Sequence, residues 1–296
     1  MAPDAQAPLK QFKAKHGFFI GIDSDGCAFD TMEIKHKECF IPNIIKHWGL
    51  QAVSKYAREA AEFVNLYSKW RGINRFPALL MVFDLLAERD EVNARGVSMP
   101  DVPSLRKWAA EETKLGNPAL AEAVKKTRDP ILTQALTWST AVNASVADMV
   151  HGVPPFPYVR ESLEELSDKA DMIVVSATPC EALEREWEEH DIAQYAAVIA
   201  GQEMGKKAEH LKLATHGQYE RANVLMIGDA PGDMKAARAN DALFFPINPG
   251  HEEQSWKLFD EEAAERFLSG TYAGDYEAKL IAEFEALLPD VPPWKR

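Results

Sequence analysis

Gly17-Phe18-Phe19-Ile20-Gly21-Ile22-Asp23-Ser24-Asp25-Gly26 is the stretch from which the fold can be read: an uninterrupted apolar run ends on two carboxylates and a glycine. A run that short and that evenly apolar has the length of a strand buried on both faces, as in a parallel sheet. A second junction of the same kind, Val224-Leu225-Met226-Ile227-Gly228-Asp229-Ala230-Pro231-Gly232-Asp233, lies about 200 residues further on. Residues 17–22, 172–175, 196–200, 224–227 and 242–245 form five candidate strands. From the second onward they alternate with helix-like segments such as 178–190 and 206–216. That alternation predicts an α/β, doubly wound parallel sheet with a Rossmann-like core, covered by helices on both faces. Thr178-Pro179-Cys180-Glu181 reads as a capping box, with Thr178 the cap and Pro179 the first helical residue.

About 150 residues separate the first strand from the second, whereas a crossover helix needs little more than a dozen. Between them apolar residues recur at three and four, as in Val53, Ala57, Ala60, Ala61 and Val64 and in Leu79, Val82, Phe83 and Leu86. The inserted segment is therefore predicted to be all-helical. Breaks at Arg71-Gly72-Ile73-Asn74-Arg75, Arg95-Gly96, Met99-Pro100, Gly116-Asn117-Pro118 and Asp129-Pro130 divide it into five or six helices. The resulting organisation is a discontinuous α/β core of residues 16–30 and 151–250, a helical insertion of 31–150, and a helical C-terminal extension of 251–296. Residues 1–16 read as a loose arm.

Composition narrows the function. The chain has 296 residues, with 33 lysines and arginines against 46 aspartates and glutamates, a formal charge of −13. Such a chain would need a local basic patch to bind nucleic acid, and none is evident. No stretch approaches the 18 or so apolar residues of a membrane span, and no secretory leader is apparent. Cys27, Cys39 and Cys180 are odd in number and widely spaced, which fits a reducing compartment better than a disulfide framework. A cytoplasmic location is the expectation.

In a parallel α/β sheet ligands bind beyond the carboxyl ends of the strands, where Asp23, Asp25, Asp229 and Asp233 fall. An isolated aspartate there can simply cap the next helix. Two such clusters converging on one crevice repel one another unless a cation or retained protons intervene. An all-oxygen donor set points to Mg²⁺ shared with a phosphate oxygen, and no twelve-residue calcium loop is present. Ser176, with Ala177 beside it, follows the second strand, and Lys206-Lys207 open a helix after the third. A hydroxyl, an ammonium and helix-start amides are what the equatorial oxygens of a transferring phosphoryl group require.

Taken together, Asp23-Ser24-Asp25-Gly26, Ser176, the lysine pair and Gly228-Asp229 with Asp233 resemble the four motifs of the haloacid dehalogenase superfamily, in its phosphatase-like branch with a helical cap. The resemblance spans about residues 16–250. It implies that Asp23 attacks phosphorus, that Asp25 is the general acid and base, and that Ser176, Ala177 and Lys207 bind the phosphoryl group. Gly205-Lys206-Lys207-Ala208-Glu209-His210 favours Lys207 over Lys206 by the family pattern. The implied Mg²⁺ ligands are the Asp23 carboxylate, the Asp25 backbone carbonyl and Asp229, with Asp233 bound to the ion directly or through another of its ligands. Asp25 matches the phosphatase and phosphomutase pattern, since an alkoxide needs a proton on leaving and a halide does not. The implied activity is Mg²⁺-dependent hydrolysis of a small phosphomonoester through an aspartyl-phosphate. Phosphomutase, phosphonate hydrolase by way of Lys35, Lys37 or Lys55, and a non-catalytic regulatory protein are the alternatives. Arg71 and Arg75, in Trp70-Arg71-Gly72-Ile73-Asn74-Arg75-Phe76, are candidate contacts to the substrate's leaving group, against the reading of surface arginines on a helix connection.

Overall fold

The computed structural model describes residues 4–295. Five strands, β1 (Phe18–Ile22), β2 (Ala170–Val175), β3 (Val198–Ala200), β4 (Val224–Gly228) and β5 (Leu243–Pro246), form one sheet in the order β3-β2-β1-β4-β5. Every pairing is parallel, with Ile22 level with Val174 on one side and with Ile227 on the other. The alternation of side chains along each strand divides the core in two. Ile20, Ile22, Met172, Val174, Leu225 and Ile227 pack with Trp187, Trp256 and Phe259. Phe19, Ile173, Val175 and Met226 pack with Leu211, Met234 and Phe284. Burial on both faces is why the strands read as continuous apolar runs.

The chain divides into two compact units. The first holds the residues up to Met32 together with Gly152–Leu288, and so contains the whole sheet. Within it, the segment after β5 supplies a helical stretch from Glu252 to Leu268, with a π-turn at Phe259–Ala263, and the helix Asp275–Leu287. The sequence reading set residues 251–296 apart as an extension, but up to Leu288 they complete this unit. Tyr272 donates its hydroxyl to the Phe244 carbonyl at 2.7 Å, and Glu277 accepts the Phe244 N–H at 2.8 Å. Those bonds satisfy the outer backbone edge of β5, which would otherwise template pairing with another chain.

The expected loose N-terminal arm is corrected. Ala7–Gln11 is a short helix whose Leu9 is fully buried, and Phe12 is buried beside it among the residues of the second face. Burial of such side chains stabilises by about 1.5–3 kcal/mol each, enough to hold a short segment down. Asp171 accepts the N–H groups of Lys15 and His16, both at 2.9 Å, and thereby ties the arm to the start of β2.

The second unit comprises Glu33–His151 and the residues from Pro289 on. Its helices include Ser54–Asn65, Arg75–Ala87, Pro103–Glu111, Asn117–Thr127 and Pro130–Met149. Val53, Ala57, Ala60, Ala61 and Val64 are all fully buried, as their three-and-four spacing requires. Asp129 caps the last of these helices through the N–H groups of Ile131 and Leu132, and Pro130 occupies its first turn. The terminal segment is held by Trp294, which packs edge-on to Phe63 and lies under the Arg89 guanidinium. The Pro289 carbonyl accepts the Lys69 N–H. Among the described residues no helix is long and apolar enough to cross a membrane.

Candidate active site

The strand order reverses about β1, whose two neighbours are β2 and β4, so the carboxyl ends of β1 and β4 meet at the topological switch point. The Asp23 N–H donates to the Ile227 carbonyl at 3.0 Å, carrying the ladder one residue past the strand. Asp229 follows β4 directly, and Asp233 comes from the first turn of the helix Pro231–Arg238, where its Oδ2 accepts the Ala230 N–H at 3.1 Å. Gly228 makes this approach possible: a Cβ there would stand 2.4 Å from the Asp233 Cβ. Asp23, Asp229 and Asp233 each present a carboxylate oxygen within 4.8 Å of the other two, and all three residues are buried.

Lys207, the first residue of the helix Lys207–Thr215, places Nζ 2.8 Å from Asp23 Oδ2 and 2.6 Å from Asp233 Oδ1. The structure thus brings Lys207 into the cluster, while the Lys206 N–H is used to bind Glu209 at the start of the helix. Burial drives the Asp23 carboxyl well above the usual carboxylate range; Lys207 pulls it down, and the charges of Asp233 and Asp229 push it further up. Asp233 is raised in the same way, by burial first. Burial acts to lower Lys207, but Asp23 and Asp233 outweigh it and hold the ammonium charged. With all three carboxylates ionised, the one ammonium would leave two negative charges uncompensated. A hard divalent cation with oxygen ligands fits both that charge and that donor set.

The loop after Asp23 is pinned from several directions. Gly26 adopts φ +76°, a left-handed conformation suited to glycine. The Ser24 carbonyl accepts the N–H groups of Ala28 and Phe29. Its hydroxyl donates to Glu186 and accepts from the Trp187 indole, each at 3.0 Å. Trp256 donates to the Cys27 carbonyl at 2.7 Å. The Cys27 thiol is itself buried, and burial together with the neighbouring aspartates pushes its pKa well up, so it is a packed thiol and no nucleophile.

Asp25 stands outside the three-carboxylate group. Thr31 donates its hydroxyl to Asp25 Oδ1 at 2.5 Å and Thr178 donates to Oδ2 at 2.7 Å. This overturns the capping box expected at Thr178. The helix begins at Cys180 with Pro179 as its cap residue, and the Cys180 N–H is taken by Glu203 at 2.9 Å. The local Thr-Pro-x-Glu pattern lost to a partner 153 residues away. Neither threonine was recognised as a site residue from sequence; for Thr178 the only signal was its place two residues after Ser176.

Ser176 is buried just beyond β2, its N–H on the Ala200 carbonyl at 3.0 Å and its Oγ accepting the Thr178 N–H at 3.1 Å; Ala177 beside it is exposed. Arg71 and Arg75, the candidate substrate contacts, both lie in the helical unit. The buried Arg71 donates to the Leu66 carbonyl at 2.9 Å. Arg75 donates to Ser139 Oγ at 3.0 Å and Asn143 Oδ1 at 2.7 Å, and lies over the Phe40 ring. The Arg75 bonds join the helix Arg75–Ala87 to the helix Pro130–Met149 within the helical unit. Among the lysines considered for Schiff-base chemistry, Lys37 is bound by Glu33 and Tyr67. Burial opposes its charge, but these partners outweigh burial and keep it an ammonium, whereas a Schiff-base lysine must be neutral.

The site is thus a parallel doubly wound sheet with three buried carboxylates and a lysine gathered at its switch point. Residues 105–245 match the family of haloacid dehalogenase-like hydrolases. Over that stretch the chain is similar to the haloacid dehalogenase-like hydrolases. The matched stretch contains Ser176, Lys207, Asp229 and Asp233; Asp23 and Asp25 precede it and are joined to the others by the sheet. No curated protein matches the chain. Similar solved structures include a haloacid dehalogenase-like family hydrolase from Streptococcus pneumoniae, 17% identical over 90% of this chain and 98% of that one, with a TM-score of 0.45. Another such hydrolase, from Xanthomonas campestris, is 11% identical over 86% and 97%, with a TM-score of 0.41. A subfamily IA member from Geobacter sulfurreducens is 16% identical over 79% and 89%, with a TM-score of 0.40.

Proposed function

We propose that the protein is a Mg²⁺-dependent phosphohydrolase that cleaves a small phosphomonoester through an aspartyl-phosphate on Asp23. The observation that carries this reading is the cluster of Asp23, Asp229 and Asp233 with Lys207 at the switch point. Mg²⁺, held by those three carboxylates and the Asp25 backbone carbonyl, would supply charge neutralisation for the phosphoryl oxygens. Lys207 and Ser176 orient the same oxygens from the protein side. An Asp23 oxygen attacks phosphorus in line; the ester P–O bond breaks and its electrons go to the leaving oxygen, which takes the proton of the Asp25 carboxyl. Water then attacks the aspartyl-phosphate, gives its proton to Asp25, and the acyl-phosphate bond returns its electrons to the Asp23 carboxylate. The products are an alcohol and orthophosphate.

The test is orthophosphate release from a panel of small phosphomonoesters with MgCl₂ and with EDTA, for the wild type and Asp23→Asn. Turnover that needs Mg²⁺ and is lost in the variant supports the proposal. Undiminished turnover in Asp23→Asn shows that another group attacks phosphorus and overturns it.

A further inference from the structure

We infer that Thr178 is a positioning residue for the Asp25 carboxyl, aiming it at the oxygen that leaves phosphorus. The inference rests on the phosphohydrolase reading above. Nothing in the helix that follows Thr178 explains its hydroxyl, since that helix has no side-chain cap. The hydroxyl lies 2.7 Å from Asp25 Oδ2, in the partly buried zone between β1 and β2.

Thr178 is itself held rigidly. Its N–H donates to Ser176 Oγ at 3.1 Å, and its carbonyl accepts the Gln202 N–H at 3.0 Å. The loop leaving β3 presses so closely on that carbonyl that a Cβ at Gly201 would lie 2.6 Å from it. The branched side chain then has few rotamers to choose from. Thr31 grips the other oxygen of Asp25 at 2.5 Å. A carboxyl group rotates about two side-chain dihedrals, and a hold on both oxygens, from two separate segments, sets its plane. With Thr178 absent, Oδ2 would lose this anchor. A hydroxyl can donate to a carboxylate and accept from a carboxylic acid, so one contact serves before and after the proton moves.

Thr178→Val keeps the shape and removes the hydroxyl, whereas Thr178→Ser keeps the hydroxyl. Each is assayed with Mg²⁺ for kcat/KM, which reports the phosphorylation of Asp23, on glycerol 3-phosphate and on p-nitrophenyl phosphate. The alkoxide of the first must be protonated as it leaves; the nitrophenolate of the second need not be. Thr178→Val is expected to lower kcat/KM for glycerol 3-phosphate about 10–100-fold and to change that for p-nitrophenyl phosphate by less than about threefold, with Thr178→Ser close to wild type. Equal losses on both substrates, or none on either, overturn the positioning role and leave the phosphohydrolase reading intact. A wild type that turns over neither phosphate in a Mg²⁺-dependent way overturns both.

Discussion

Replacing Asp229 with asparagine should make the metal-free protein more stable and the Mg²⁺-loaded protein less so. The oxygens of Asp23, Asp229 and Asp233 lie within 4.8 Å of one another. Two unit charges 4.8 Å apart repel by about 3.5 kcal/mol at an effective dielectric of 20, and Asp229 enters two such pairs, about 7 kcal/mol with all three carboxylates ionised. Much of that is already relieved, because Lys207 lies between Asp23 and Asp233 and burial favours the protonated form of both. Exchanging a buried charge for a neutral group of similar volume then leaves a gain of about 1–2 kcal/mol. For a chain of this size that amounts to a rise of about 2–8 °C in Tm. A ligand at a hundred times its Kd stabilises the folded state by about 2.7 kcal/mol, which the wild type should show with Mg²⁺ and the variant should lack. Thermal melts of both proteins in EDTA and in saturating MgCl₂ should therefore cross, the variant melting higher in EDTA and lower in Mg²⁺. A variant that melts below the wild type in EDTA, or that Mg²⁺ stabilises as fully, would refute the reasoning.

Two further outcomes follow from the same core. Gly228→Ala should lower stability by about 1–3 kcal/mol and sharply reduce Mg²⁺-dependent turnover, because the new methyl meets the Cβ of Asp233 at 2.4 Å. Pairing it with Asp233→Gly, but not with Asp233→Asn, should recover the stability in chemical denaturation. Asp171→Asn should cost about 1–3 kcal/mol at neutral pH. Although burial opposes it, hydrogen bonds from Tyr219, the backbone of His16 and Lys15, and the His16 ring hold the Asp171 carboxyl below the usual carboxylate range. A lowered folded-state value means that its stabilisation is present above the ordinary carboxylate pKa and is lost as pH falls through the folded one. Urea midpoints of the two proteins should therefore converge on acidification, and a gap that stays constant with pH would count against this account.

The sheet and the carboxylate cluster were legible for one physical reason. Strands covered on both faces have no polar alternation, so residues 17–22 and 224–227 stood out, and each ended on the aspartates that the switch point brings together. What escaped the sequence depends on distant partners. Thr178 carries a sound local code for a helix cap, and only the fold shows that Asp25 takes its hydroxyl. Leu9 lies in a helix of five residues, too short for periodicity to reveal that it is buried. The pairing of Arg75 with Ser139 and Asn143 spans more than 60 residues and left no pattern near Arg75. Pro289 and Trp294 sit in a proline-bearing stretch without period, so their docking on the helical unit had no signal at all.

That docking makes the polypeptide pass from one unit to the other at three places: after Met32, after His151 and after Leu288. An odd number of passages leaves the two ends of the chain on different bodies, the amino end with the sheet and the carboxyl end with the helices. A dye placed on the helix Ala7–Gln11 and another placed next to Trp294 would therefore sit on different bodies and form a ruler between them.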